Sequence, residues 1–216
     1  MTMKTKRNHA TFQQITSVAD KHKYKPFTPV DAAIIATLGH SYYNLLDLSK
    51  IRVSDLMKHN GNLVDVCCYG SGEKTKLLSV SGYVRDILEV VVQWRLNLGY
   101  GVTSCPEYNN LDPDSQFFLD AGGSPFGVGK VHNGNTVSYA PYGMRKRFKK
   151  YSLPAGWKVS TLNDSFLYGM WRSVSMMKPS DATKILEQAT GLTPSTIKQK
   201  TYEEPIAVYE ALARTY

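Results

Sequence analysis

The stretch ATGLTPSTIKQKTY occupies residues 189–202, close to the end of a chain of 216 residues. Two segments before it, 162–174 and 179–189, have the pattern of helices, and Ser180 and Asp181 supply an N-cap and a first-turn acid for the second. Inside the stretch, residues 194–201 form a further short helical segment that leads directly to Tyr202. Tyr202 therefore follows three predicted helical segments in the sequence.

Outward from this stretch, the sequence indicates a mainly α domain with a small antiparallel β-sheet inserted early. Thr28 and Pro29 are typical of a helix start, and apolar residues at helical spacing over 81–98 end at Gly99. Between them, a glycine-rich turn separates two strand-like runs and predicts a β-hairpin. The remaining assignments are a candidate third strand at 116–119, a flexible loop at 122–130, and helices at 140–151 and 205–215.

The opening stretch resembles the end of the catalytic domain of tyrosine recombinases, the phage integrase family. In that family a Leu-Gly-His-Ser run leads through a short helix to the nucleophilic tyrosine, a position that falls on Tyr202 here. Thr193 stands where the family has its histidine. The resemblance covers roughly residues 26–216 and implies the integrase catalytic-domain fold.

The other catalytic positions of the family fall on uncharged residues of this chain. The family's Gly-Leu-Arg-x-x-Glu-Leu segment is similar to YYNLLDL at 42–48, which puts Asn44 at the first arginine. Its hairpin lysine falls on Ser71 within YGSGEK at 69–74, and its His-x-x-Arg falls on Ser160 and Asn163. The resemblance thus implies a scaffold that keeps the tyrosine and lacks both arginines, the lysine and both histidine-type residues.

These replacements predict the absence of catalysis. Attack of a tyrosine on a phosphodiester builds negative charge on a phosphorane, and removing one well-placed donor typically costs about 10²–10³ in rate. Asn and Ser can donate hydrogen bonds but carry no charge. One alternative is an active recombinase that uses Tyr202 with rearranged cations drawn from Arg145, Arg147 or Arg172. A second is a structural or interaction protein that reuses the fold.

Charge points to nucleic acid as the partner. The net charge is +8, and residues 121–163 contain no acid while they carry seven Lys and Arg residues. No acid and no i,i+4 partner offsets the cluster at 145–150, so we expect one basic face that contacts double-stranded DNA. Residues 1–26 are expected to be a basic, flexible arm in front of a DNA-binding domain at 27–216. The candidate DNA-binding residues are Lys4, Lys6, Arg7, Lys74, Lys76, Arg145, Lys146, Arg147, Lys149, Lys150, Lys158, Lys198 and Lys200.

The sequence gives little support for membrane, secreted, metal-binding or cofactor-binding functions. No apolar run is long enough for a membrane span, and the N-terminus lacks a signal-peptide core. A cytoplasmic location is therefore expected, associated with the nucleoid if the protein is bacterial. Three cysteines and five scattered histidines have no metal-ligand spacing, and no cofactor is expected. Trp157 lies among apolar neighbours and is predicted to be a core or interface residue. The function predicted is that of a regulatory (transcriptional) or accessory, architectural DNA-binding protein, such as one serving a mobile element. Its C-terminal helix is expected to contact a protein partner or a second copy of the chain.

Overall fold

The computed structural model describes residues 9–70, 75–133 and 136–201 of the chain. Within these ranges the polypeptide forms helices and two short β-hairpins. Their bounds are α1 Phe12–Lys21, α2 Pro29–Gly39, α3 Leu45–Leu48, α4 Val53–Leu56, β1 Val66–Tyr69, β2 Lys76–Ser79, α5 Gly82–Leu98, β3 Gly129–Asn133, β4 Thr136–Ala140, α6 Tyr142–Phe148, α7 Val159–Val174, α8 Pro179–Thr190 and α9 Pro194–Thr201.

Helix α2 lies at the centre of the molecule. Every residue from Val30 to Gly39 is buried, and α1, α5 and α7 all pack against it. A helix that is apolar on all sides is stable only inside a core. Its start follows the predicted chemistry, because Pro29 occupies the first turn and the Thr28 N–H donates to Asp31 Oδ2 at 2.6 Å. The three helices α1, α5 and α7 are therefore arranged around α2.

Helix α1 corrects the prediction of a flexible arm over residues 1–26. Its N-terminus is closed by a capping box between Thr11 and Gln14, and Ile15, Val18 and Ala19 are buried against α2. Three apolar residues at i, i+3 and i+4 are enough to hold a short helix on a core, although the surrounding sequence is polar. The prediction is wrong for α1. Residues 1–8, which include the candidates Lys4, Lys6 and Arg7, lie outside the described ranges.

The predicted hairpin is present as β1 and β2. The strands are antiparallel, with Val66 opposite Ser79, and the inward pair Cys67 and Leu78 is buried. Burial raises the pKa of the Cys67 thiol to about 11, as expected for a thiol that serves in packing. The tip at 71–74 lies outside the described residues.

The candidate third strand at 116–119 is wrong. Two isolated bridges, Gln116 to Arg52 and Leu119 to Pro125, form at this segment, while Phe117 and Phe118 are buried in the core. This segment therefore contributes packing to the core and no strand ladder. Its two phenylalanines explain why the sequence pattern favoured a strand.

A second hairpin, β3 and β4, was not predicted. Its strands are antiparallel, with Gly129 opposite Ala140 and Val131 opposite Ser138. The prediction of a flexible loop over 122–130 is therefore wrong where β3 begins. The sequence GKVHN of β3 shows no apolar alternation, which is the signal by which a strand is recognised.

The mainly α fold with small antiparallel sheets is confirmed. A second, smaller apolar cluster joins α7, α8 and α9 through Leu167, Val174, Leu186 and Ile197. It anchors the C-terminal helices that lead toward residue 202. None of the described helices has the length and apolar character that crossing a membrane requires.

Candidate nucleic-acid interface

A wide groove of about 980 Å³ lies between α6 and the start of α7. Its walls come from α6, from the connecting segment 153–158 and from the first turn of α7. We call it the α6–α7 groove and define it by its lining residues: Leu45, Tyr142, Arg145, Lys146, Phe148, Lys149, Tyr151, Leu153, Pro154, Ala155, Gly156, Trp157, Lys158, Val159 and Ser160.

Four cations line this groove without a counter-ion. Arg145, Lys146, Lys149 and Lys158 are exposed, and none forms an ion pair with any residue in the described part of the chain. Lys150, next in the chain to Lys149, is exposed and unpaired on the same criterion. The lining residues include no acid. Such a concentration of unpaired positive charge in a concave surface attracts a polyanion.

Arg147 differs from its neighbours in α6. Its Nε and Nη2 donate to the two carboxylate oxygens of Asp31, each at 2.6 Å, and the Tyr151 hydroxyl donates to Asp31 Oδ1 at 2.8 Å. Asp31 is only 1% exposed. The hydrogen bonds to Asp31 raise the pKa of Arg147, and burial raises the pKa of Tyr151 well above its usual value.

This network corrects the expectation that no acid offsets the basic cluster. Asp31 lies in α2, 116 positions before Arg147, so its partner role is invisible to local sequence patterns. Arg147 is anchored to the core, and it holds α6 against α2. The unpaired cations of α6 are thereby held on a fixed helix.

The resemblance assigned Asn44 and Asn163 to the family's two arginines, and both amides are used for local structure here. Asn44 is exposed and caps α3, because its Oδ1 accepts from the N–H groups of Leu46 and Asp47 at 2.8 and 3.0 Å. Asn163 is buried in α7. Its Nδ2 lies 3.2, 3.1 and 2.8 Å from the carbonyl oxygens of Leu38, Ser41 and Tyr43, so it ties α7 to the segment that precedes Asn44.

The resemblance assigned Ser160 and Thr193 to the positions of the family's histidines. Ser160 is exposed on the first turn of α7 and lines the groove together with Leu45, the neighbour of Asn44. Thr193 precedes α9, and its Oγ1 lies 2.9 Å from Thr196 Oγ1. The structure therefore brings the Asn44, Ser160 and Asn163 positions to one side of the molecule. Ser71, Lys74 and Tyr202 lie outside the described residues.

Two further candidate DNA ligands are paired with carboxylates. Lys76 Nζ lies 2.6 Å from Asp47, and Lys200 Nζ lies 2.6 Å from Asp164, with all four side chains at most 26% exposed. Burial lowers the pKa of Lys200, but hydrogen bonds to Asp164 and Tyr42 outweigh it, so the net shift is upward. Lys198, by contrast, is exposed on α9. Lys200 serves to bind α9 to α7, two residues before Tyr202.

The aromatic lining of the groove was missed by the sequence analysis. Tyr142 is 54% exposed, and Trp157, expected to be a core or interface residue, is half-buried with part of its surface in the groove. Trp157 also packs against the main core, so the expectation holds for only part of the side chain. The available signal was the spacing of aromatics among cations in YGMRKRFKKY, residues 142–151. Among the described residues, no group of three or more His, Cys, Asp or Glu side chains could hold a metal ion.

Comparison with solved structures places the chain on a known fold. It is similar to the XerA recombinase, with a TM-score of 0.61 and 12% identity, over 100% of this chain and 65% of that protein. It is also similar to the Tn1549 transposon integrase in complex with circular intermediate DNA, with a TM-score of 0.55 and 16% identity, over 97% and 67% of the two chains. The same integrase in complex with transposon right end DNA gives a TM-score of 0.54 and 15% identity, over 98% and 68%.

These similarities confirm the tyrosine recombinase catalytic-domain fold that the sequence resemblance implied. At the level of sequence, no family model and no curated protein matches the chain. The likeness is therefore one of structure. The chain spans 65% of the length of the XerA recombinase, and the Tn1549 integrase structures contain DNA.

Proposed function

We propose that this chain, which has the fold of a tyrosine recombinase catalytic domain, binds double-stranded DNA without cutting it. In this proposal it acts as a regulatory or accessory factor, of the kind that serves a mobile element. The observation that carries the proposal is the α6–α7 groove, where four exposed cations face solvent with no carboxylate among the lining residues. Lysine and arginine contacts to phosphates supply most of the sequence-independent affinity for DNA.

The uncharged side chains at the family's catalytic positions support the second half of the proposal. Asn44 caps a helix, Asn163 Nδ2 is occupied by main-chain carbonyls, and Thr193 bonds to Thr196 in the helix that follows it. None of these groups can supply the fixed positive charge that a pentavalent phosphorane requires. Tyr202, even if correctly placed, would then attack a phosphate without a charged clamp.

Salt dependence of duplex binding tests the first half. Arg145, Lys146, Lys149, Lys150 and Lys158 are exposed and unpaired, so we expect about five phosphates to be neutralised. The logarithm of the association constant should fall with the logarithm of salt concentration with a slope of roughly −4 to −5. Absence of affinity for duplex DNA at low salt would overturn the proposal.

A nicked suicide substrate tests the second half, because such a substrate traps the covalent phosphotyrosine complex of an active recombinase. No adduct is expected from this chain. The Tyr202→Phe variant is the matched control, since it removes one hydroxyl and should leave duplex binding unchanged. An adduct that disappears in Tyr202→Phe would establish the alternative function, an active recombinase. Arg145 would then be the first cation to test, because it lines the same groove as Ser160.

The basic N-terminal residues and the C-terminal segment enter the proposal as further contacts. Lys4, Lys6 and Arg7 precede α1 and carry charge suited to a phosphate backbone. Because α1 contributes to the core, the test removes residues 1–8 and leaves α1 in place. We expect weaker duplex binding with an unchanged fold. Contacts of the 205–215 segment with a second protein are tested by light scattering of the full chain and of a chain ending at residue 201.

A further inference from the structure

The α6–α7 groove has a cationic surface and an aromatic surface, and binding of a duplex accounts only for the cationic one. Its cations, Arg145, Lys146, Lys149 and Lys158, lie at exposed positions that can reach a phosphate backbone. Between them the lining is apolar and aromatic, with rings from Tyr142, Phe148, Trp157 and the buried Tyr151. In a duplex the faces of the bases are covered by their stacked neighbours, and only base edges are accessible in the grooves. A duplex resting on this surface would therefore contact the cations and leave the rings without a partner.

An aromatic ring in a basic groove has a natural ligand in an unstacked nucleobase. Each base that stacks on such a ring contributes about 1–3 kcal/mol, and cations beside the ring hold the phosphates. The groove volume of about 980 Å³ lies at the upper end of the roughly 300–1,000 Å³ found for small-molecule sites. That volume can admit bases that have left the duplex stack.

The structure also holds the rings and cations in position. Tyr142 packs over Gly129, where a Cβ atom would approach ring carbons of Tyr142 to 2.5 and 2.6 Å. The absence of a side chain at Gly129 thus makes room for the ring, whose other parts remain 54% exposed. The Arg147–Asp31 ion pair fixes α6, and with it Arg145 and Lys149. A preorganised platform of this kind loses little entropy on binding.

We propose that the α6–α7 groove binds an unpaired stretch of DNA, with bases on Tyr142 and Trp157 and phosphates on the surrounding cations. This inference rests on the proposed DNA-binding function and deepens it, because it specifies a single-stranded ligand for one part of the surface. A duplex and an unpaired strand would then use the same cations, and only the unpaired strand would also contact the rings. Melted, nicked or branched DNA is the class of substrate that provides both.

Three fluorescent probes with equal numbers of phosphates test the proposal by anisotropy at about 50 mM salt, where phosphate contacts are strong. They are a thymidine oligonucleotide, an abasic oligonucleotide and a duplex. The full chain should bind the thymidine probe about ten-fold or more tightly than the abasic probe, because only the former can stack. Tyr142→Ala should remove that preference, whereas Tyr142→Phe should retain it. Arg145→Ala should weaken binding to all three probes.

Tyr24→Ala is the matched control, since Tyr24 is 75% exposed and does not line the groove. It should leave all three affinities unchanged. Equal affinity for the thymidine and abasic probes would overturn this inference while the duplex-binding function stands. A Tyr142→Ala variant that loses the same factor on both single-stranded probes would overturn it as well. Failure of the unmodified chain to bind any probe would overturn the proposed function itself.

Discussion

The α6–α7 groove and the neighbouring positions of the family's catalytic residues use polar side chains in opposite ways. In the groove, Arg145 and Lys149 are exposed and have no counter-ion among the described residues. At the positions that the resemblance assigns to catalysis, Asn44 Oδ1 and Asn163 Nδ2 are occupied by main-chain partners. The nearby Lys200 is neutralised by Asp164.

Under the proposed function, this difference is the one expected of a surface that binds a polyanion without cutting it. Phosphate binding needs only positive charge that remains available at the surface. Phosphoryl transfer needs fixed positive charge aimed at one reacting atom. The groove meets the first requirement. The amides of Asn44 and Asn163 support the fold. Replacing them should therefore lower stability and leave DNA affinity unchanged.

The largest expected effect is a loss of stability on breaking the ion pair between Arg147 and Asp31. Asp31→Ala leaves Arg147 and Tyr151 without their acceptor, and breaking a buried pair on one side costs about 3–5 kcal/mol. Urea unfolding measures the loss. The control is Asp114→Ala, which breaks the exposed pair with Arg52 and should cost less than about 1 kcal/mol. Equal losses in the two variants would refute the anchoring role of Asp31.

A smaller loss is expected at the two amides. Asn163→Ala leaves buried carbonyls of the 38–43 segment without a donor, which typically costs about 1–3 kcal/mol in unfolding free energy. Asn44→Ala removes a helix cap and should cost about 1 kcal/mol. Both folded variants should bind duplex DNA as tightly as the unmodified chain. Reduced affinity with unchanged stability would mean that these amides contact phosphate, and the contrast with the groove would fail.

Replacing an unpaired cation should lower DNA affinity more than replacing a cation that has a carboxylate partner. Arg145→Ala and Lys149→Ala should each weaken duplex binding and flatten the salt slope by about 0.9, the value of one lost phosphate contact. Lys76→Ala and Lys200→Ala remove cations that already have carboxylate partners. These two variants should leave the salt slope unchanged. A flattened slope for Lys200→Ala would show that its ion pair opens to admit a phosphate.

The smallest expected effect is a pH dependence of folding stability that arises from His40. Burial lowers the pKa of His40, whose Nδ1 donates to the Ala36 carbonyl at 2.8 Å, below the value for an unfolded chain. The unfolded state therefore binds more protons, and stability falls as pH decreases through about 6.5 and levels off below the folded-state pKa. Urea unfolding at pH 7.5 and 5.5 measures the change. His40→Gln, which does not titrate, should show a shallower dependence, and an identical dependence in both proteins would contradict the assignment.

Local sequence patterns were sufficient for several parts of the fold. Helix α2 begins at Pro29 after a Thr28 cap, α5 ends before Gly99 in a left-handed conformation, and Cys67 pairs with Leu78 in the hairpin. Each of these features depends on residues close together in the chain. Helix α1 was missed because its apolar stripe holds only three residues, and its stability comes from packing on α2.

The site was predictable to a similar degree. The acid-free stretch at 121–163 directed attention to α6, and four of its cations line one groove. The aromatic walls were not predicted, because the partial exposure of Tyr142 and Trp157 depends on how α6 and the connection to α7 meet. The residues next to a lysine in the sequence could not show whether that lysine forms an ion pair. Lys200 meets Asp164 across two helices, 36 positions away.

The sequence by itself determined the order of the main elements and the basic segment. These properties follow from residue type and from spacing of a few positions, where propensity, capping and periodicity act. Only the tertiary structure decided which cations remain available. Asp31 and Arg147 lie 116 positions apart, and their two hydrogen bonds of 2.6 Å exist because the core brings α2 and α6 together. Electrostatic partners depend on distance in space, and distance in space is set by packing.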